Sequence, residues 1–235
     1  MQDANGNELK VMAFDEDPVT RKLYLSGCII DPDKGNNIFN ERDLSRGPYQ
    51  GLFSLNINSS ETNNYRPVYT YWNKNTKHDM VNSKGEFTGI KSFAIFQRSF
   101  RGYDGKMYFV GSCMKSSYRF EEIMILQQLS DGTLKIDTLI EMNNSRMQYG
   151  RGTIADLTGR DISLVENSEK KTNYLVIDDS EEIHIYDMAQ HKTIRKIPHK
   201  DGKLKVNVYG ATEGHILVTE HHKKEGWTRF SIEVI

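Results

Sequence analysis

The sequence predicts an all-β chain built from antiparallel four-stranded meanders, and three observations carry that prediction. Short runs rich in Val, Ile, Tyr and Phe alternate with clusters of Gly, Asn, Asp and Ser, the pattern of strands and turns. The runs recur in groups of four with similar wording, as repeat architectures do. Helical periodicity is missing from the 235 residues; the best candidate, "ERDLSRGPYQ" (41–50), has neither the length nor an apolar face.

The elements follow in order. The first group reads "ELKVMAFDE" (8–16), "RKLYLSGCII" (21–30), "GLFSLNIN" (51–58) and "RPVYTYWN" (66–73). The second reads "KSFAIFQRS" (91–99), "KMYFVGSC" (106–113), "EEIMILQQL" (121–129) and, after a Ser-Asp-Gly turn, "TLKIDTLIEM" (133–142). The third reads "RDISLVEN" (160–167), "TNYLVIDD" (172–179), "EEIHIYDM" (181–188) and "TIRKIP" (193–198). The fourth has three runs, "KLKVNVYG" (203–210), "GHILVTEH" (214–221) and "WTRFSIEVI" (227–235), and lacks an outermost strand. Within each group we call the strands a, b, c and d. Branched apolar or aromatic residues sit at alternate places in strand c, as in Phe230, Ile232 and Val234. Near-continuous runs such as "IMIL" imply central strands buried on both faces. One all-β domain spanning 1–235 is expected, with repeats at roughly 8–72, 90–142, 160–198 and 203–235.

This arrangement resembles β-propeller-type repeat proteins, in particular uncharacterised bacterial propeller-like proteins. Trp-Asp repeat endings, paired-glycine kelch signatures and aspartate boxes are all missing, so the resemblance names no subfamily. It implies a β-propeller or the C-terminal segment of one, with a β-sandwich as the alternative. Four blades lie at the low end of the usual range of about four to eight. The N-terminal "GNELKVMAF" would then close the ring on the last blade, or the chain belongs to a larger propeller. An incomplete ring would leave an edge open to self-association.

Charge and composition narrow the function. Net charge is -1, from 31 basic and 32 acidic residues, which argues against non-specific nucleic-acid binding. No run approaches the roughly 18 apolar residues of a membrane span. The N-terminal "MQDANGNELK" lacks a secretory pattern, yet a Tyr- and Asn-rich, cysteine-poor β-repeat chain suits a bacterial periplasm or cell envelope. Cys28 and Cys113 each follow strand glycines and read as small buried residues or as a disulfide pair.

Motifs for chemistry are weak. "DPDKGNN" (31–37) spaces carboxylates as calcium loops do, but Arg42 stands where a bidentate Glu belongs. His221 and His222 are neighbours, and on a strand they would face opposite ways. His184 alternates with Ile183 and Ile185 and reads as a packed or hydrogen-bonded strand residue. Glu121-Glu122 and Glu181-Glu182 open equivalent strands, which suggests guarding of strand ends. No metal and no cofactor are expected.

Most of the long connections join strand b to c or strand d to the next a: 31–50, 73–89 and 143–160. In a meander these lie at one end, the usual binding side of a repeat protein. Candidate ligand-binding residues there are Arg42, Tyr49, Trp72, His78, Tyr118, Arg119, Tyr149, Arg151 and Trp227. Aromatic and Arg side chains stack on and hydrogen-bond a glycan, a peptide or a protein partner. The expectation is a non-catalytic binding module. The alternative is a propeller-type carbohydrate-active enzyme with paired carboxylates, for which Asp156 and Asp161 are candidates.

Overall fold

The computed structural model describes residues 1–30, 49–57, 67–72, 80–115, 119–146, 160–179 and 181–235. Among these residues the chain is all-β, with strands and no helix. It divides into two compact units, Met1–Glu141 and Met142–Ile235.

The first unit holds two sheets. β1 (Glu8–Glu16), β2 (Leu23–Ile30), β3 (Gly51–Ile57) and β4 (Pro67–Tyr71) form one antiparallel meander in that order. β5 (Glu86–Phe87), β6 (Ser92–Arg101), β7 (Met107–Met114), β8 (Arg119–Gln128) and β9 (Leu134–Arg146) form the next, and β9 runs on into the second unit. Sequence reasoning missed β5, which is too short to show a period.

In the second unit, β10 (Asp161–Asn167), β11 (Thr172–Asp178), β12 (Glu182–Asp187) and β13 (Lys192–Pro198) make a four-stranded meander. β14 (Lys200–Asp201), β15 (Leu204–Gly210), β16 (His215–His222) and β17 (Thr228–Val234) make the last. This sheet reaches four strands through the short β14, which pairs with β15 at the edge opposite β17. Among the described residues nothing follows β17 on its outer side.

Alternation decides what each strand buries. In the first unit Cys28, Leu52, Phe96, Phe109, Met124 and Leu126 share one core, drawn from both sheets. In the second, Val176, Ile183, Ile185, Val206, Ile216 and Val218 do the same. Each such side chain contributes about 1.5–3 kcal/mol when fully buried. Ile123 to Leu126 are all fully buried, because β8 is covered on both faces. β13 is an edge, and its exposed Lys192, Arg195 and Lys196 discourage pairing with other chains.

Cys28 and Cys113 are buried thiols and are not joined in a disulfide. Burial pushes the Cys28 thiol far up, only partly offset by Lys10. His184 is buried in β12. Glu121 pairs with Lys115, and Glu182 lies 2.8 Å from Lys196.

Candidate functional site

A cleft of about 540 Å³ opens in the first unit, between its two sheets. Ser54, Asn56 and Val68 line one wall, from β3 and β4; Arg101, Met107 and Gln128 line the other, from β6, β7 and β8. Two hairpin turns close it, through Gly105 and Lys106 on one side and Leu129, Ser130 and Asp131 on the other.

The sequence builds these turns locally. In "RGYDGK" the Gly102 N–H donates to Lys106 O and the Gly105 N–H to Gly102 O, both at 2.9 Å. In "LSDGT" the Leu129 N–H donates to Thr133 O at 2.8 Å and the Gly132 N–H to Leu129 O at 2.9 Å. Gly105 and Gly132 have φ of 75° and 80°, the left-handed region where glycine is cheapest. The preceding Asp caps each turn: Asp104 Oδ1 accepts from Lys106 N–H at 3.1 Å and Asp131 Oδ1 from Thr133 N–H at 2.9 Å. Burial opposes ionisation of Asp104, but hydrogen bonds from Lys106 and Tyr108 outweigh it and hold the carboxyl below its ordinary value.

Arg101 is the fixed charge of the cleft. Its Nη2 donates to Asn56 Oδ1 at 2.8 Å and its Nη1 to Gly105 O at 3.1 Å. Its Nε stands 3.3 Å from Asp17 Oδ2, close enough for an ion pair but without hydrogen-bond alignment. The guanidinium lies 5.8 Å from the centre of the Tyr24 ring, a cation–π distance. A planar fork held this way presents its remaining N–H groups in one orientation.

Gln128 forms the floor. Its Nε2 donates to Thr70 Oγ1 at 2.9 Å, and Thr70 Oγ1 donates to Gly132 O at 2.6 Å. This chain of bonds ties the Ser-Asp-Gly turn to the first sheet. Gln128 Oε1 is buried and accepts no hydrogen bond among the described residues. An unpaired buried acceptor costs about 1–3 kcal/mol. Leu129 is exposed beside it, an apolar surface next to polar groups.

The cleft sits at the a–b and c–d turns, the opposite end of these sheets from the long connections. Of the residues predicted from sequence, Tyr49 and Trp72 are core residues, 6% and 3% exposed. Their rings pack 5.7 Å from Phe96 and 6.2 Å from Phe87, which leaves no ring face for a ligand. Arg119 is half-buried at the start of β8, in the first unit. Trp227 is 38% exposed on the turn between β16 and β17, in the second. It stacks on His222 at 5.4 Å and donates from Nε1 to Glu225 Oε2 at 2.7 Å. Arg42, His78, Tyr118, Tyr149 and Arg151 lie outside the described residues, as do Asp156 and the "DPDKGNN" loop. Asp161 is exposed at the start of β10. Among the described residues no group of three or more His, Cys, Asp or Glu is placed to hold a metal ion.

No protein-family model matches the chain, and no curated protein matches it. Solved structures similar to it include oligopeptidase B from Leishmania major, at 11% identity and a TM-score of 0.39, covering 94% of this chain and 24% of that one. Dihydro-heme d1 dehydrogenase NirN, in complex with DHE, is similar at 9% identity and a TM-score of 0.37, covering 99% of this chain and 49% of that one. The β-propeller domain of Cps50 (Swd1) from Myceliophteria thermophila is similar at 9% identity and a TM-score of 0.30, covering 96% and 83%. The chain thus spans a quarter to a half of the first two proteins. Fold and cleft together define a class: an all-β meander-repeat protein with a cleft of mixed polar and apolar lining between two of its sheets.

Proposed function

We propose that the protein is a non-catalytic binding module of propeller-type repeats, and that its cleft takes a glycan. The observation that supports this is the immobilised Arg101 lining a cleft beside the hydroxyls of Ser54 and Ser130. Donors, acceptors and a short apolar strip of Met107 and Leu129 match the alternating hydroxyl and C–H faces of a sugar ring. The carbohydrate-active alternative needs two carboxylates about 5–10 Å apart. Among the described lining residues Asp131 is the one carboxylate, which favours binding over hydrolysis.

A second reading is favoured by the exposed Trp227 stacked on His222. It places a glycan, peptide or protein at the turn between β16 and β17 of the second unit, where Trp227 would make the contact.

The test is a titration calorimetry screen of neutral and uronic-acid oligosaccharides against the full chain. Arg101→Gln and Asp131→Asn are each expected to weaken binding about tenfold or more, the value of one charge-assisted hydrogen bond, with Trp227→Ala unchanged. Binding lost only in Trp227→Ala would support the second reading. Binding intact in all three, or none in the native chain, would overturn the cleft reading.

A further inference from the structure

β17 presents two unused features at once. It is the last strand of its sheet, so one edge is unpaired among the described residues. One face is also bare: Phe230, Ile232 and Val234 are 67%, 73% and 66% exposed. By register these three share a face with Leu217 of β16, while Arg229, Ser231 and Glu233 lie on the other face beside the buried Val218 and Ile216.

The ladder fixes which backbone groups point outward. Ile235 N–H donates to Gly214 O at 2.8 Å and His222 N–H to Trp227 O at 3.0 Å. With the observed register, 229, 231 and 233 turn their N–H and C=O groups toward β16. Residues 228, 230, 232 and 234 turn theirs away.

We propose that β17 pairs antiparallel with β17 of a second copy, about a two-fold axis at Ser231. The strand runs Thr228–Val234, so Ser231 is its midpoint and this register uses its whole length. Phe230 then faces Ile232 of the other copy, and Thr228 faces Val234. All four pairs join residues whose backbone groups point outward, so each outward group meets a partner. The apolar side chains of both copies fall on one continuous face. A register shifted by one would pair outward groups with inward ones.

Charge selects the second copy over an unrelated strand. Arg229 falls opposite Glu233 of the other copy, twice by symmetry, in the pairs without backbone bonds, where Cα atoms approach to about 4.5 Å. Within one copy Arg229 already pairs with Glu220, and Glu233 lies 2.8 Å from Arg195. The dimer joins these into an alternating row: Glu220, Arg229, Glu233 of the second copy, Arg195 of the second copy. Such self-complementarity is what an isologous interface requires. The proposal is independent of the ligand reading above.

Light scattering and sedimentation of the full chain, from about 1 to 100 µM, should show a dimer. Ile232→Pro, which removes one outward N–H and leaves the β16 bonds intact, should shift dissociation by about tenfold or more. Arg229→Glu should weaken the dimer, and Arg229→Glu with Glu233→Arg should restore it. Ser231→Cys should form an intermolecular disulfide, since about 4.5 Å between Cα atoms lies within disulfide reach; Cys28 and Cys113 are buried and do not compete. Circular dichroism confirms that each variant folds. A monomer across the range, or a dimer that survives Ile232→Pro and fails to cross-link through Ser231→Cys, would overturn the proposal.

Discussion

His199 and His184 carry opposite pH dependences for the second unit. Both ring nitrogens of His199 face oxygens: Nδ1 lies 3.0 Å from Val206 O, and Nε2 lies 2.8 Å from Asp178 Oδ1 and 2.7 Å from Asp179 O. Only the imidazolium donates from both nitrogens. Burial works against the charge, but these acceptors outweigh it and raise the pKa of His199. Asp178 is raised too, because burial and the nearby Asp161 and Asp179 outweigh the pull of His199. His184 is lowered, first by burial and then by Lys196; its Nε2 is 2.9 Å from Glu182 Oε1 but not aligned to donate. The signs follow from linkage. His199 stabilises the fold fully below the unfolded value of about 6.5 and loses that contribution as pH rises through its raised folded value. His184 does the reverse, since the unfolded chain takes the proton first as pH falls below about 6.5. In urea unfolding above about pH 5, native chain and His199→Gln should differ most below pH 6.5 and converge as pH rises. A constant gap would remove the ionised His199. The burial of His184 was legible in its alternation with Ile183 and Ile185. The role of His199 was not, because its partners lie on β15, seven residues downstream, and on β11 and just beyond, about twenty residues upstream.

At the scale of the strand, "KLYLSGC" and "KMYFVGSC" share a glycine for one backbone reason. Gly27 pairs with Val11, where β1 slips register before Ala13; Gly111 pairs with Phe96, where β6 slips before Arg98. Each glycine lies opposite a bulge, and the bulged strand presses in. A Cβ on Gly27 would lie 2.0 Å from Lys10 O, and on Gly111 2.6 Å from Ile95 O. Backbone oxygen cannot yield as a side-chain tip would. In the third sheet Ile177 occupies the matching place after Tyr174, and its ladder with β10 runs without a shift. Gly111→Ala and Gly27→Ala should each cost about 2–3 kcal/mol. Gly105→Ala, with open space around it but positive φ, should cost nearer 1 kcal/mol. Denaturant midpoints at unchanged slope would check the order, and an equal cost for Gly105 and Gly111 would count against the bulge account. The repeated wording was legible as a repeat; the bulge was not, since a strand glycine alone does not say which neighbour crowds it.

For the molecule as a whole, alternation and turn chemistry act within single runs, which is why the meanders could be read in order from the sequence. Neither reaches across runs. The cleft joins Asn56, Arg101 and Asp131, which no local pattern connects. Tyr49 and Trp72 fall in or beside long connections, yet they sit at strand ends where the cheapest place for a large ring is the core. The division at Glu141 and Met142 falls inside one strand and leaves no linker to find. It does leave a consequence that can be measured. Leu126 is fully buried in the shared core of the first two sheets, and Ile185 in that of the last two. Truncating either to Ala removes about 2–5 kcal/mol of packing, and local opening follows the stability of the unit that loses it. In native-state hydrogen exchange, Leu126→Ala should deprotect the strands from β1 to β8 and spare β10 to β17. Ile185→Ala should do the opposite. Equal loss of protection throughout in either variant would mean that the two cores unfold as one.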